Sequence, residues 1–251
     1  MSLESIIENI TDTKPRIVSV IGAGLSKASG MPTFRGEDGL WKKYRAEELA
    51  TPYAFSRDQK LVWEWYRFRM RMLLRAKPNP AHNALKKLEE KNIAIGLITQ
   101  NVDGLHEIEG IKNFVEIHGR IRYARCMNCN YSERWDNEES AQEEIPLPYC
   151  PRCIDSVLRP DVVWFGESLD SQRWEKAISW TNQASVLLVI GTSGVVQPVA
   201  SLPLYAKQNK AIVVEFNVEE TPISSFCDYS IYGPCEETLP NFTSKLIKKL
   251  K

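Results

Sequence analysis

A chain of 251 residues, 43% hydrophobic and 25% charged, has the length for one large domain or a domain with an insertion, and the make-up of a water-soluble globular protein. Its 32 Lys and Arg balance its 32 Asp and Glu, so no overall charge draws it toward nucleic acid or an anionic membrane. No apolar run approaches a membrane span, and the N-terminal stretch reads as a short amphipathic helix rather than a signal peptide.

Residues 16–21 (Arg-Ile-Val-Ser-Val-Ile) predict a buried strand that runs into Gly22-Ala23-Gly24-Leu25-Ser26. A strand ending in Gly-x-Gly before a helix can bring backbone N–H groups against a phosphate, helped by the helix dipole. Ala28 falls one place late for the third small residue of the dinucleotide fingerprint. The turn alone therefore fits a tight connection as well as a phosphate cradle. The next stretch, Met31-Pro32-Thr33-Phe34-Arg35-Gly36, places a rigid Pro, an aromatic and an Arg in a loop, either a lid or a packed connector. Residues 58–75 read as a helix closed by Pro78 and Pro80, with Tyr66 and Arg69 three apart and so on one face. Residues 80–90 read as another helix, whose His82 is expected to be structural.

The run 93–99 is apolar and rich in Ile, the pattern of a strand buried on both faces of a parallel sheet. The next segment, Gln100-Asn101-Val102-Asp103-Gly104-Leu105-His106, must emerge at the carboxyl edge, where open α/β sheets bind ligands. A second apolar patch, 113–117, delivers His118-Gly119. Gln100, Asn101, Asp103 and His118 thus converge on one candidate site.

Beyond His118 the pattern changes. Cys126-Met127-Asn128-Cys129 and Cys150-Pro151-Arg152-Cys153 are two CxxC knuckles separated by twenty residues. This is the ligand spacing of a zinc ribbon. Four thiolates saturate tetrahedral zinc and leave no open position for water or substrate, so the expected metal is structural. Such cysteine usage suits a reducing compartment, and a cytoplasmic location is expected. A ribbon can also serve a nucleic-acid module, but this segment holds similar numbers of acids and bases and so lacks an electrostatic footprint.

Residues 161–167 form an apolar stretch ending in a turn, and 169–181 read as a helix. Residues 186–190 read as a strand ending in Gly191-Thr192-Ser193-Gly194, a second small-residue turn at the sheet edge. Next come a helix over 199–208 and a strand over 211–216 ending at Asn217. Residues 229–232 suit an edge strand before Gly233-Pro234-Cys235, and 239–251 a closing basic helix. The alternation predicts an α/β class: a doubly wound parallel sheet with a smaller inserted zinc ribbon.

Taken together, several blocks resemble the sirtuins, the NAD-dependent protein-lysine deacylases. They are Gly22-Ala23-Gly24-Leu25-Ser26, Pro32-Thr33-Phe34-Arg35-Gly36, Thr99-Gln100-Asn101-Val102-Asp103-Gly104-Leu105-His106, Ile117-His118-Gly119, the four Cys, Phe165-Gly166-Glu167, Gly191-Thr192-Ser193 and Asn217. The resemblance covers nearly the whole chain and draws its specificity from the order and number of blocks. It implies a Rossmann-like NAD-binding domain from 1–34, 80–118 and 161–251, a helical insertion at 35–79 belonging to a small domain and acyl pocket, and a zinc module at 119–160. It also implies that Gly22, Ala23, Gly24, Ser26, Pro32, Thr33, Phe34, Arg35, Gly191, Thr192, Ser193, Asn217 and Cys235 hold NAD. Gln100, Asn101 and Asp103 would line the ribose and nicotinamide pocket, with Asn101 counted as catalytic beside the general base His118. Val163 and Phe165 would contact substrate. The reaction so implied passes the acyl group of a substrate lysine to ADP-ribose and releases nicotinamide, with Phe34 shielding the reacting centre from water.

Thr33, standing where many sirtuins carry Asp, resembles the class III branch when combined with Tyr66-x-x-Arg69, Ala50-Thr51-Pro52 and Gly233-Pro234-Cys235. That branch implies that Tyr66 and Arg69 bind the carboxylate of succinyl- or malonyl-lysine, with Ala50 leaving room for the longer chain, beside deacetylation. Acyl-lysines of protein substrates, chromatin or metabolic proteins among them, are the expected partners, with neither nucleic acid nor membrane. Three rival readings remain: a protein mono-ADP-ribosyltransferase that needs the same NAD residues, a zinc-ribbon nucleic-acid binder with an idle nucleotide fold, and a hydride-transferring dehydrogenase, against which the displaced third small residue counts.

Overall fold

In the computed structural model, which describes residues 2–12, 14–35 and 39–250, the run Ile17–Ile21 is strand β1, buried along its whole length. Gly36 of the expected loop lies outside the described residues. β2 (Ala94–Thr99) and β3 (Phe114–Glu116) lie on one side of β1; β7 (Val186–Ile190), β8 (Ile212–Asn217) and β9 (Tyr229–Tyr232) lie on the other. The order is β3-β2-β1-β7-β8-β9 with every neighbour parallel, and β9 forms an edge. Side chains alternate across a strand, so consecutive residues feed two cores. Ile17 and Ile21 join α1 (Leu3–Thr11), α6 (Pro80–Glu90) and α10 (Cys235–Lys249), whereas Val18 and Val20 join α8 (Ser171–Gln183) and α9 (Leu202–Gln208). Helices on both faces of a parallel sheet make it doubly wound.

A third core holds α2 (Leu40–Lys43), α3 (Ala46–Leu49), α4 (Pro52–Arg57), α5 (Gln59–Arg75) and a second, antiparallel sheet. Thr51 caps α4 by accepting from Ala54 N–H, with Pro52 in the first turn, where its missing N–H costs nothing. Asp58 caps α5 the same way through Leu61 N–H. The α5 residues Val62, Tyr66, Met70 and Leu73 recur at helical spacing and are all buried. The second sheet runs β5 (Ser132–Arg134), β4 (Gly119–Arg125), β6 (Arg159–Val162).

Two boundaries differ from expectation. The expected junction between 160 and 161 falls inside β6, which pairs antiparallel with β4 in the small sheet. The apolar Val162-Val163-Trp164 run resembles a central parallel strand, yet the strand ends at Val162, and Val162 and Trp164 are buried while Val163 is half-exposed, so only one side is covered. α10 begins at Cys235, ahead of the expected Leu239, and carries Pro240 inside it. A short helix, α7 (Leu105–Glu109), has no signal in the sequence pattern. Among the described residues no helix is long and apolar enough to cross a membrane.

Candidate active site

β1, β2, β7 and β8 end at one edge of the large sheet. Gly22 N–H donates to Ile190 O at 2.9 Å, Gln100 N–H to Ile21 O at 3.0 Å, and Gly191 N–H to Phe216 O at 2.9 Å. The two glycine turns touch, Gly24 N–H donating to Gly191 O at 2.8 Å. Gly191 takes φ +59, and a Cβ there would stand 2.5 Å from Leu25 N, so a larger residue would separate the turns. Residues Ala23–Ser29 wind as a 3₁₀ helix.

Against this turn lies a polar cluster. Asn101 Nδ2 donates to Gly22 O at 3.0 Å and to Ser26 Oγ at 3.1 Å. Ser26 Oγ donates to Asp103 Oδ2 at 2.8 Å, and Leu105 N–H to Asp103 Oδ1 at 3.0 Å. Ser26, Asn101 and Asp103 are all buried. With their hydrogen bonds made inside the protein, amide and carboxylate hold fixed positions before any ligand arrives.

His118 Nδ1 lies 3.2 Å from Gln100 O. A carbonyl can only accept, so Nδ1 carries the proton and Nε2 keeps its lone pair. Burial lowers the His118 pKa, and the bond to Gln100 opposes this only in part, so the site favours the neutral ring. Gln100 Nε2 donates to Thr192 Oγ1 at 2.9 Å, Asn217 Nδ2 to Thr192 O at 2.8 Å, and Val163 N–H to His118 O at 2.9 Å. Hydrogen bonds thus chain the ends of β2, β7 and β8 together, with His118 joined to that chain through Gln100 and to the residue after β6 through Val163. Ser193 is half-exposed in the same turn.

The Pro32 loop approaches from the α5 side. Thr33 Oγ1 donates to Arg35 O at 2.8 Å, and Arg35 itself is exposed. Half-buried Pro32 precedes it, and the Phe34 ring centre is 4.9 Å from Arg69 Cζ. Arg69 is 6% exposed and also lies over Trp65 at 4.9 Å and Tyr66 at 5.8 Å. Burial lowers its pKa, and among the described residues no carboxylate is within ion-pair distance of it. Tyr66 is 2% exposed, and its hydroxyl accepts from Trp164 Nε1–H at 2.8 Å. Buried Ala50 accepts Phe165 N–H at 2.9 Å through its carbonyl, while the Phe165 ring is 44% exposed. Contacts thus join Phe34 to Arg69, Arg69 to Tyr66, Tyr66 to Trp164, and Ala50 to Phe165, with Val163 and Phe165 flanking Trp164 in the chain.

Cys235 is placed differently from the expected loop. It is the first residue of α10, its side chain buried in the core, and burial pushes its thiol up to about 12. Its thiol is therefore a core group rather than part of an open loop.

The sulfurs of Cys126, Cys129, Cys150 and Cys153 all lie within 4.8 Å of one another, with Cys126–Cys153 at 3.9 Å and Cys129–Cys150 at 3.7 Å. Four sulfurs each about 2.3 Å from a common tetrahedral centre stand about 3.8 Å apart, so the set fits one zinc ion. The Ser156 hydroxyl lowers Cys126 to about 6, whereas hydrogen bonding with Cys129 pushes Cys153 up to about 12. A divalent cation would hold all four as thiolates.

Arg122, which no sequence pattern marks, links the zinc side to the site. Its Nε donates to Asp103 O at 2.9 Å and its Nη1 to Asp136 Oδ2 at 2.7 Å, and Arg134 grips the same carboxylate at 2.6 Å. Strand alternation would turn Arg122 to solvent with Arg120, but a register shift between Arg120 and Ala124 turns it inward. Gly104, at φ +71, leaves room for it: a Cβ there would meet Arg122 Nε at 2.9 Å. Arg122→Met should raise the KM for a nucleotide bound at Asn101–Asp103 by about 10-fold or more while zinc content stays at one per chain. An unchanged KM, measured with zinc retained, would remove Arg122 from this role.

A model of the Sir2 family matches residues 22–198. The NAD-dependent protein deacylase of Pyrococcus furiosus is 49% identical over 234 residues, covering 91% of this chain and 92% of that protein. Among solved structures, a Sir2 homologue in complex with NAD superposes with a TM-score of 0.90 at 44% identity, covering 99% of this chain and 95% of the other. A Sir2 protein bound to a propionylated peptide matches at TM-score 0.86 and 27% identity over the full length of both chains.

Proposed function

The chain belongs to the Sir2 family, and we propose on that footing that it is an NAD-dependent protein-lysine deacylase that removes acetyl groups and also the acidic succinyl and malonyl groups. The observation that carries the chemistry is His118, its pKa lowered by burial, its Nδ1–H tied to Gln100 O and its Nε2 without a hydrogen-bond partner among the described residues. NAD supplies the bond to nicotinamide that breaks and the ribose hydroxyls that receive the acyl group.

In this reading His118 Nε2 takes the proton from a ribose hydroxyl, and Gln100 O keeps the ring in the tautomer that can do so. Asn101 and Asp103, fixed by Ser26 and Gly22 O, orient the ribose and nicotinamide. The Gly22, Ala23, Gly24 turn, the Pro32–Arg35 loop, Gly191–Ser193, Asn217 and the Cys235 amide hold the rest of the dinucleotide. Phe34 closes the reacting centre against water. Val163 and Phe165 lie along the peptide. Residues 1–34 and 80–118, with the sheet-forming part of 161–251, bind the nucleotide; 35–79 shapes the acyl pocket; 119–160 is a brace around zinc. Reduced cysteines suit a cytoplasmic enzyme acting on acyl-lysines of chromatin or metabolic proteins.

The preference for an acidic acyl group follows from Arg69, a buried cation beside Phe34 without a carboxylate partner among the described residues. A guanidinium forks onto a carboxylate, and charge-assisted bonds of this kind contribute about 1.5–3 kcal/mol. Arg69→Met should therefore weaken desuccinylation roughly 10- to 100-fold more than deacetylation. Equal losses would take Arg69 out of the acyl pocket. The direct test is mass spectrometry of acetyl-, succinyl- and malonyl-lysine peptides incubated with the protein and NAD. Deacylation of all three is expected; no NAD-dependent mass loss from any of them would refute the assignment.

A further inference from the structure

The geometry points to Trp164 as a specificity-setting positioning residue: its indole N–H occupies the acceptor side of the Tyr66 hydroxyl and so reserves the phenolic proton for an acidic acyl group lying against Arg69. The inference rests on the acyl reading above and adds to it the residue that makes Tyr66 a donor.

A phenol has one proton to give and lone pairs to receive with. Trp164 Nε1–H donates to Tyr66 Oη at 2.8 Å, so that bond uses a lone pair and leaves the proton free. Among the described residues no protein acceptor takes that proton, although Tyr66 is 2% exposed. A buried donor left unmatched costs free energy, and so does a buried guanidinium without an anion. Tyr66 and Arg69 lie one helical turn apart on α5, with Arg69 Cζ 5.8 Å from the Tyr66 ring centre. One carboxylate could accept from both. A methyl group, the end of an acetyl, could accept from neither.

Trp164 is held in place from the far side. Arg159, fully buried, lies over the indole with Cζ 3.3 Å from the ring centre, and its fork grips both oxygens of Glu167. Glu167 Oε2 in turn accepts Trp164 backbone N–H at 2.8 Å. The Phe55 ring stands 5.3 Å from the indole on its packed side. The side chains of Glu167, Arg159 and Trp164 are thereby tied to one another, and among the described residues the Tyr66 proton at the end of this chain has no acceptor.

Trp164→Phe keeps an aromatic plate for Arg159 and deletes the N–H. Freed of that donor, the Tyr66 hydroxyl can turn to other uses. The KM for a succinyl-lysine peptide should rise roughly 5- to 10-fold with little change in kcat, and the KM for the acetyl-lysine peptide should rise much less. Because Trp164 acts through the hydroxyl, adding Trp164→Phe to Tyr66→Phe should produce no further loss of succinyl selectivity. Equal losses on the two peptides, or additive effects in the double variant, would overturn the inference. Should Trp164→Phe fail to fold, Tyr66→Phe at the other end of the bond carries the test: it must show the same succinyl-selective KM rise, and an equal loss on both peptides refutes the proposal. A wild-type enzyme inactive on succinyl and malonyl peptides would instead refute the acyl reading, and that result is read before any variant is made.

Discussion

His118→Ala should keep its fold and lose deacylation by about 10²- to 10⁴-fold, the contribution of a positioned general base. The fold should survive because the side chain of this half-buried imidazole bonds to one backbone carbonyl, Gln100 O. Gln100 stays anchored without it, through Ile21 O and the Thr192 hydroxyl. The chemistry should not survive, because in the proposed mechanism Nε2 is the atom that takes the ribose proton, Nδ1 being committed to Gln100 O. The pH dependence checks the same assignment. An ordinary histidine titrates near about 6.5, and burial moves His118 lower. Its lone pair is therefore available throughout neutral pH and is lost only as the pH falls below that value, so the acid limb of kcat/KM belongs below about pH 6.5. Circular dichroism and thermal melting verify the fold of the variant. Full activity in a folded His118→Ala protein would refute the base assignment, as would a wild-type acid limb centred above pH 7.

Cys126→Ser should lose zinc and destabilise the small sheet. Zinc binding in small modules has apparent free energies of about 10–16 kcal/mol, so one missing thiolate removes much of what holds residues 126–153 together. Cys126 is buried in the core that also contains Trp63, Tyr66, Ile121 and Trp164. Metal loss should therefore loosen the acyl pocket as well as the ribbon. The parallel sheet should outlast it, since its two cores contain none of the four cysteines. Metal analysis should find one zinc in the wild type and little in the variant, with a melting transition several degrees lower. A metal-free variant with unchanged melting and activity would show that the ribbon needs no zinc.

Much of this arrangement is legible in the residues because it depends on local periodicity. β1 and β2 are apolar runs that could hardly be anything but buried strands, and their ends put Gly22 and Gln100 at one edge. The paired CxxC spacing leads directly to a four-sulfur cluster. The hidden features depend on contacts between distant segments or on broken periodicity. The Trp164–Tyr66 bond spans 98 positions. Arg122 turns inward only because β4 shifts register, an irregularity with no compositional mark. Cys235 reads as loop because Pro240 suggests a helix start beyond it, whereas α10 tolerates that proline inside its run. The junction at β6 is misleading in the sequence because Val162-Val163-Trp164 has the apolarity of a central strand, whereas the strand ends at Val162 and pairs in a small sheet with β4.

The central claim, that the acyl group of lysine passes to the ribose of NAD with His118 as the base that takes the hydroxyl proton, is tested most directly by the stoichiometry of products from wild-type protein, acetyl-lysine peptide and NAD. Mass spectrometry should find free lysine, nicotinamide and O-acetyl-ADP-ribose in equal amounts. Nicotinamide released with the acetyl group still on the peptide, and ADP-ribose attached to protein instead, would contradict it.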